Sequence, residues 1–442
     1  MSITAESRLD VPTAVYPGLE PRLLTVADPE DRATYRGAGG YRILADPEAL
    51  LASVEECGLR GRGGAGFPFA RKVRTVRQGF AAPVVLANGE EGEPASVKDR
   101  WLMRHRPHLV LDGLRLAAAM VGAQEAYVYV SDAVAAASIE AALAEYPASG
   151  WAELEVRVHR VDPSYVAGEE TAAVRSINGG PALPEDKPPR PFEEGIGARP
   201  TLVSNIETLA NLPAIQRLGT SAYRAAGTAE SAGTFLMTLH APATGTGLYE
   251  VPFGVTLREV LEWRGEDCSR VGGALVGGYF AGVLSERVLD LPLEYAAYVA
   301  AGSGLGCGAI AVIDERTCAV AVAAGVMRYF DHANAGQCGS CFNGTAAMAA
   351  ALEALTVGAA TPDDVERLRR WSQDLRGRGA CGTLDGATNV AASVLHEFPQ
   401  LVHEHVAGVC AQCAVPDATA YPPYEAAVRR HGLEIVLGQG SR

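Results

Sequence analysis

The sequence lacks the segments that carry a chain into or across a membrane. No basic-then-apolar stretch of the kind found in signal sequences opens it, and no uncharged apolar run is long enough to span a bilayer. Low-complexity tracts are also missing. The chain has 442 residues, 48% hydrophobic and 20% charged, which is the composition of a globular protein and the length of about three domains. We therefore expect a cytoplasmic protein without direct membrane insertion.

Positive charge is in short supply. The chain carries 38 Lys and Arg against 52 Asp and Glu, for a net charge of −14. Binding to duplex nucleic acid depends on excess cationic side chains, so we expect no nucleic-acid partner. An acidic surface suits a basic protein partner, although solubility alone would also account for it.

Cysteine is present but does not form a disulfide pattern. Nine cysteines in a large cytoplasmic chain are expected to stay reduced. Cys57, Cys268, Cys307 and Cys318 lie singly among apolar residues. They are best interpreted as small buried side chains.

The order of predicted elements indicates an α/β protein. Asp46 and Pro47 begin a helix, because Asp is a good N-cap and Pro fits the first helical position. Strands are predicted at 83–87, 125–130 and 153–158, and helices at 97–121 and 132–146. Strands that alternate with helices favour a layered α/β domain. The predicted regions are an N-terminal arm (1–40), an α/β domain (41–230), a small β-rich module (231–315), a helical bundle (316–405) and a C-terminal tail (406–442).

A glycine-rich loop, Gly58–Phe67, follows the first predicted helix. Gly61, Gly63 and Gly66 satisfy G-x-G-x-x-G, but a helix precedes the loop where a Rossmann fingerprint needs a strand. No Gly-Lys-Ser/Thr follows, so the loop is not a P-loop. Successive glycines still let backbone N–H groups approach an anion, with Arg62 and Lys72 adding positive charge. A tight connection without a ligand is the alternative.

Three loops rich in Asn and Glu occur in the predicted α/β domain: Asn88–Pro94, Tyr165–Thr171 and Asn205–Asn211. The first follows a predicted strand, where open α/β sheets bind ligands. Asn and backbone groups can bind the edge of a flavin ring, and carboxylates can hold ribose hydroxyls. Each loop alone could be a capped turn. Three in one domain favour a ligand site.

Clustered thiols form the last motif. Cys338-Gly-Ser-Cys341 precedes Cys381 by forty residues, and Cys410-Ala-Gln-Cys413 lies in the tail. Such thiols can ligate iron or zinc. With the glycine-rich loop, they suggest electron transfer between a nucleotide-type cofactor and a metal centre.

Together these motifs resemble the family of flavin-carrying, NADH-oxidising subunits of respiratory complex I, which includes the diaphorase subunits of NAD-linked hydrogenases and formate dehydrogenases. The matching stretches occur in the family's order: Gly58–Phe67, Asn88–Arg100, Tyr165–Thr171, Lys187–Pro189, Pro200–Pro213, Ala301–Gly308 and Cys338–Thr345. The resemblance implies an α/β flavin-binding domain, a small β-grasp-like module and a C-terminal α-helical bundle with one [4Fe–4S] cluster.

The resemblance also implies roles for individual residues. The FMN phosphate would be held by the glycine loop and a nearby lysine: Gly61, Arg62, Gly63, Gly64, Gly66 and Lys72. The ribityl chain and ring would be surrounded by Asn88, Glu90, Gly168, Glu169, Asn205 and Thr208. The nicotinamide nucleotide would meet Glu93 and Glu170, and the wider binding set includes Phe67, Glu91, Tyr165 and Lys187. Hydride passes from nicotinamide to flavin and electrons then pass singly to the cluster, so no protein residue is predicted to be catalytic.

The chain departs from the family at the cluster. Cys338, Cys341 and Cys381 fill three ligand positions, but the first position is Ala335, whose methyl group cannot ligate iron. Candidates for the fourth ligand are Asp331, His332 and the tail pair of cysteines. The cluster could instead be labile or absent. A Cys₄ zinc site formed by the two Cys-x-x-Cys pairs is another alternative.

A second departure concerns the dinucleotide. Arg190 replaces a family phenylalanine after Lys-Pro-Pro, whereas Phe67 is kept. Arginine could stack on adenine or pair with a 2′-phosphate, which leaves NAD(H) and NADP(H) both open, although Glu170 disfavours the phosphate. We predict an FMN-dependent NAD(P)H dehydrogenase that delivers electrons to a ferredoxin or another electron-transfer subunit. The alternative is a non-catalytic electron-relay or assembly subunit.

Overall fold

The computed structural model describes residues 11–25, 29–145, 154–414 and 423–426. Its strands are β1 (Thr13–Val15), β2 (Val84–Asn88), β3 (Glu125–Val130), β4 (Glu155–Arg160), β5 (Thr201–Asn205), β6 (Thr234–Ala241), β7 (Gly245–Pro252), β8 (Val271–Val276), β9 (Val283–Ser285) and β10 (Ala309–Asp314). The first eight α-helices are α1 (Arg32–Gly37), α2 (Pro47–Glu56), α3 (Phe69–Val76), α4 (Lys98–His105), α5 (Pro107–Val121), α6 (Ala133–Ala144), α7 (Glu170–Ile177) and α8 (Ile206–Arg224). The others are α9 (Leu257–Arg264), α10 (Tyr295–Ala300), α11 (Ala319–Ala333), α12 (Gly339–Thr356), α13 (Pro362–Asp374), α14 (Thr383–Glu397) and α15 (Pro399–Ala407).

A four-stranded parallel sheet forms the centre of the first part of the molecule. Its strand order is β4-β3-β2-β5, and helices cover both faces. Val85 and Ala87 of β2 pack into a core with α3, α5 and α8, whereas Val84 and Leu86 pack on the opposite face with α7. Burial on both faces explains why the strand is continuously apolar instead of alternating. The mixed α/β fold predicted from the sequence is confirmed.

Most elements predicted for this part are present, but the helix expected over 97–121 is two helices. The first, α4, ends at His105, and α5 starts with Pro107 at its first position. Proline lacks the N–H for a continuous helix and keeps the preceding residue out of the α region. Arg106 accordingly has φ −127° and ψ 49°. The helix predicted to start at Asp46 is confirmed, with its carboxylate accepting from the Glu48 amide at 2.9 Å.

A six-stranded mixed sheet follows, with the order β1-β7-β6-β10-β8-β9. Its edge strand β1 comes from the N-terminal arm, which pairs in parallel with β7. The arm is fixed further by the buried Glu250, whose carboxylate accepts from the amides of Leu23 at 2.9 Å and Leu24 at 3.1 Å. The arm therefore contains regular structure that its weak periodicity did not predict.

Helices α11 to α15 form the last part. Their shared core includes Val326, Phe330, Met348, Leu352 and Val390. Among the helices of the described residues, none combines the length and apolar character needed to cross a bilayer.

Candidate functional site

The parallel sheet brings two predicted asparagines together at its carboxyl edge. Asn88 ends β2, Asn205 ends β5, and the two residues are paired in register. From β2 the chain adds β3 and then β4 on one side of the sheet, and it then adds β5 on the other side of β2. The direction of winding therefore reverses between β2 and β5. Open α/β sheets bind ligands at such a switch point.

The glycine loop lies against this edge. A Cβ atom on Gly63 would meet the Cβ of Asn205 at 3.2 Å, so a side chain there would crowd the asparagine. Gly64 and Gly66 have φ values of 123° and 59°, which only glycine adopts readily. A Cβ on Gly64 would meet nothing within 4 Å. The loop therefore places bare backbone next to the switch point.

Arg62 does not extend from the loop towards an open space. Its guanidinium is buried, with Nε 3.7 Å from a Glu207 carboxylate oxygen and Nη2 donating to the Thr234 carbonyl at 3.2 Å. It also lies 4.5 Å from the centroid of the Phe253 ring. The Arg62 amide donates to Thr208 Oγ1 at 2.8 Å. Arg62 and Thr208 thus hold the loop in place.

A buried charge network, which the sequence interpretation missed, supports the asparagine edge. Lys98 Nζ lies 3.1 Å from Asp99 Oδ1, 3.0 Å from Glu207 Oε2 and 3.3 Å from Asn205 Oδ1. Asn205 Nδ2 donates to Asp99 Oδ2 at 2.6 Å. Burial opposes the charge of Lys98, but Asp99 and Glu207 raise its pKa overall. Because both the oxygen and the nitrogen of the Asn205 amide are engaged, its side chain is fixed before any ligand binds.

The loop after β2 carries two carboxyl groups with unusual protonation. Burial raises the pKa of Glu90 to about 7, and the pKa of Glu93 also to about 7. Glu90 Oε1 accepts from the Ser164 amide at 3.2 Å, whereas buried Oε2 has no hydrogen-bond partner among the described residues. Such an orphaned buried acceptor indicates a missing ligand group. Asn88 Nδ2, close by, donates to the Gly168 carbonyl at 2.7 Å.

The carboxyl groups of Glu91 and Glu93 both have protein partners. Glu91 accepts from Ser96 Oγ at 2.6 Å and from the Arg100 amide at 3.0 Å, so it stabilises the start of α4. Glu93 Oε2 accepts from the Tyr279 amide at 3.0 Å, which connects this loop to the six-stranded sheet region.

Four charged residues form a partly buried cluster at the start of α7. Lys187 Nζ lies 2.7 Å from Glu169 Oε1, and Lys72 Nζ lies 3.7 Å from Glu170 Oε2. Burial lowers the pKa of Lys72, and Glu170 partly offsets that effect. Phe67 is also near this region of α3, within 5.7 Å of Arg71, and its ring is 45% exposed. An exposed aromatic ring of this kind can stack on a nucleotide base.

Three cysteines converge on one pocket, which we call the three-thiol pocket: Cys338, Cys341 and Cys381. Cys338 is the N-cap of α12, Cys341 lies in its first turn, and Cys381 precedes α14. Burial and the neighbouring Cys381 and Cys338 raise the pKa of Cys341 to about 12. The Ala380 amide donates to Cys338 Sγ at 3.5 Å. The raised pKa keeps the Cys341 thiol protonated unless a bound cation stabilises the thiolate.

Ala335 also lines the three-thiol pocket, so the position without a thiol faces the same space as the three cysteines. Neither Asp331 nor His332 is among the described residues that line it. Cys410 and Cys413 lie elsewhere, grouped with a buried histidine. Neither the tail pair as fourth ligand nor a zinc site shared between the two Cys-x-x-Cys pairs agrees with this geometry.

Tyr165 lies near both Glu93, in the loop after β2, and the thiol of Cys381. Its ring contacts Phe330 at a centroid distance of 5.3 Å and Tyr329 at 5.9 Å. Burial and nearby Glu93 raise the pKa of its hydroxyl group, with a smaller contribution from Cys381. The pocket is also linked to the loop after α7, because Gln337 Nε2 donates to the Pro184 carbonyl at 2.8 Å. The two candidate sites are therefore neighbours.

The residues present fit both groups that the sequence predicts. A bare glycine backbone, an adjacent lysine, two asparagines and an orphaned carboxyl oxygen suit a phosphorylated, polar-edged ring such as FMN. Three converging thiols suit three irons of a [4Fe–4S] cluster, but the fourth position carries only a methyl group.

Comparison with known proteins gives consistent matches. Residues 54–214 match the model of the Nuo51 FMN-binding domain, and residues 321–405 match that of the NADH-ubiquinone oxidoreductase-F iron-sulfur binding region. The chain is 34% identical over 403 residues to the NADH-quinone oxidoreductase F subunit 2 of Rhizobium meliloti, covering 86% of this chain and 96% of that protein. It is 32% identical over 432 residues to the NADH-quinone oxidoreductase F subunit of Streptomyces coelicolor, covering 92% and 95%.

A solved structure is also similar. The crystal structure of an NAD⁺-reducing [NiFe]-hydrogenase in the air-oxidised state matches with a TM-score of 0.75 and 32% identity. The match covers 81% of this chain and 63% of the hydrogenase chain, so this chain spans less than two thirds of that one.

Proposed function

Because the chain belongs to the family of NADH-quinone oxidoreductase F subunits, we propose that it is an FMN-dependent NADH dehydrogenase subunit that passes electrons through an iron–sulfur cluster to a partner. The observation that carries the proposal is that the candidate flavin site and the three-thiol pocket lie close together. A glycine loop meets a pair of asparagines at the switch point of a parallel sheet, and the three-thiol pocket contacts the loop that follows α7.

The FMN would be held by residues from three loops. Its phosphate would receive backbone N–H groups of Gly63 and Gly64 and the charge of Lys72. Its ring edge would meet the amide of Asn88 and the free oxygen of Glu90, which has its other oxygen tied to the Ser164 amide at 3.2 Å. With a pKa of about 7, Glu90 can donate or accept a hydrogen bond near neutral pH.

The nicotinamide nucleotide would bind over Phe67 and the cluster at the start of α7. Glu169 and Glu170 can accept hydrogen bonds from ribose hydroxyls. Lys187 neutralises Glu169 at 2.7 Å and keeps that carboxylate oriented. The similar proteins are named as NADH-quinone oxidoreductase subunits, so we propose NADH as the preferred nucleotide.

When bound, FMN would supply the conversion of a two-electron hydride into single electrons, and a cluster at the three-thiol pocket would supply a one-electron acceptor. The protein would hold the cofactors in position. The buried Lys98–Asp99–Glu207 network holds Asn205 rigid, and the ring of Tyr165, which contacts Phe330, lies near both Glu93 and Cys381. A general base is not required.

We also propose the finer architecture. Strands β6 and β7 form a hairpin, α9 follows, and β10 returns parallel to β6, which is the connectivity of a β-grasp-like module over 231–315. The flavin domain would occupy 41–230 and the helical cluster-binding bundle 316–405. Residues 1–40 and 406–442 would be the arm and the tail, of which 1–10, 26–28, 415–422 and 427–442 lie outside the described residues.

The acceptor would be another electron-transfer protein. The similar proteins are named as subunits of quinone oxidoreductases, so a partner subunit is the first candidate and a ferredoxin the second. Rapid mixing of the anaerobic, FMN-loaded chain with NADH or NADPH tests the proposal. We expect NADH to bleach the bound flavin at least tenfold faster than NADPH does. If neither nucleotide bleaches it, the chain is a relay or assembly subunit instead.

A further inference from the structure

A second group of sulfur ligands lies apart from the three-thiol pocket. We call it the Cys₃His group, and it consists of Cys318, His405, Cys410 and Cys413. Each residue offers one ligand atom, and all four atoms lie within 4.8 Å of one another. The residues come from the start of α11, the end of α15 and the turn that follows α15.

The spacing fits one metal ion. Zinc binds sulfur at about 2.3 Å and nitrogen at about 2.0 Å, so tetrahedral ligand atoms lie about 3.5 to 3.8 Å apart. The Sγ of Cys318 is 3.3 Å from Nε2 of His405, close to that expectation. A cluster places several iron atoms between its thiolates and needs wider separations. The group is therefore suited to a mononuclear site.

The histidine is already oriented for a metal. Its Nδ1 lies 2.8 Å from the Leu355 carbonyl oxygen, which can only accept, so Nδ1 carries the proton. Nε2 then presents a lone pair towards Cys318. Metal-binding histidines are typically held in this way through the other ring nitrogen.

The thiols show a second sign of ligation. The Cys413 amide lies 3.4 Å from Cys410 Sγ, an N–H donor that would stabilise a bound thiolate.

We propose that the Cys₃His group binds one Zn²⁺ ion, which joins the first helix of the helical region to the segment after its last helix. Three thiolates and one imidazole at tetrahedral spacing form a closed structural zinc site. The described chain resumes at Pro423, and the Ala426 amide donates to the Pro94 carbonyl at 2.9 Å. Pro94 ends the loop that carries Glu90 and Glu93. This inference does not depend on the proposed function.

Metal analysis of the purified full-length chain tests the proposal. We expect one zinc per chain in the wild type. Cys410→Ser with Cys413→Ser should lower zinc below a tenth of an equivalent and leave iron unchanged. The matched pair, Cys338→Ser with Cys341→Ser, should lower iron and leave zinc unchanged. His405→Cys should retain zinc, whereas His405→Ala should lose it.

A spectroscopic measurement on the wild type tests the proposal even if the variants do not fold. Replacement of zinc by Co²⁺ in the wild type should give the sulfur-to-cobalt charge-transfer band and the intense visible bands of a tetrahedral thiolate site. Zinc below a tenth of an equivalent in fully reduced wild type, with no such cobalt spectrum, would overturn the proposal. So would zinc that is lost with Cys338 and Cys341, or iron in place of zinc at the Cys₃His group.

Discussion

The two sulfur groups of the helical region differ in completeness. The Cys₃His group has four ligand atoms within 4.8 Å of one another, whereas the three-thiol pocket is lined by three thiols and the methyl group of Ala335. The first is closed and joins distant segments of chain. The second is open at one position and lies beside the flavin-binding edge. Similar ligands therefore serve different purposes, and the number and spacing of the ligands distinguish a structural ion from an electron carrier.

Removal of zinc should produce the largest effect. Structural zinc contributes about 10–16 kcal/mol in small peptides at neutral pH, so we expect local stability around α15 to fall by on the order of 5 kcal/mol when a chelator strips the ion. Hydrogen exchange should show α15 amides losing about a thousandfold protection or more, with α6 amides as the internal control. Equal protection of the α15 amides in zinc-loaded and zinc-free protein would show that zinc binding at the Cys₃His group does not stabilise this region.

The open position of the three-thiol pocket should respond to a new ligand. Ala335→Cys adds a fourth thiol to the lining of the pocket, so iron should be retained in air at least tenfold longer than in the wild type. Cys381→Ser should act in the opposite direction and abolish iron binding. Iron content and electron paramagnetic resonance, followed during exposure to air, provide the measurement. Neither variant should change zinc content. Loss of iron from Ala335→Cys as rapid as from the wild type would contradict a ligand role for that position.

The sequence predicted the flavin edge better than the second metal site. Asn88 follows a predicted apolar strand, so its place at a ligand-binding edge could be inferred, whereas β5, which ends at Asn205, was not among the predicted strands. Cys318 looked like an isolated apolar cysteine. Only the packing of α11 and α15 brings it to His405, 87 positions away. The available signal was local: a histidine five residues before Cys410-x-x-Cys413.

Buried charge was the other feature that spacing did not show. Arg62 was expected to face an anion, but Glu207 holds its guanidinium inside the protein. Lys98 and Asp99 begin a helix, where charged residues are usually exposed, yet their side chains are 1% and 6% exposed. Such pairs form only when separate elements supply partners to one buried point. Sequence periodicity does not contain that information.

FMN binding should not depend on either sulfur group. Substitution of Lys72 tests this, and its expected effect is the smallest of the three predictions. Lys72→Ala removes the charge-assisted contact that we propose to the FMN phosphate, so affinity for FMN should fall by about 1.5–3 kcal/mol, or about 10- to 150-fold in Kd. Lys72→Arg should retain most of the affinity. Arg74→Ala, on the same helix but paired with exposed Glu55, is the matched control and should change Kd by less than about twofold. Flavin fluorescence titration measures each Kd, and iron and zinc contents should match the wild type. If Lys72→Ala and Arg74→Ala bind FMN equally well, the phosphate lies elsewhere and the assignment of the glycine loop must be revised.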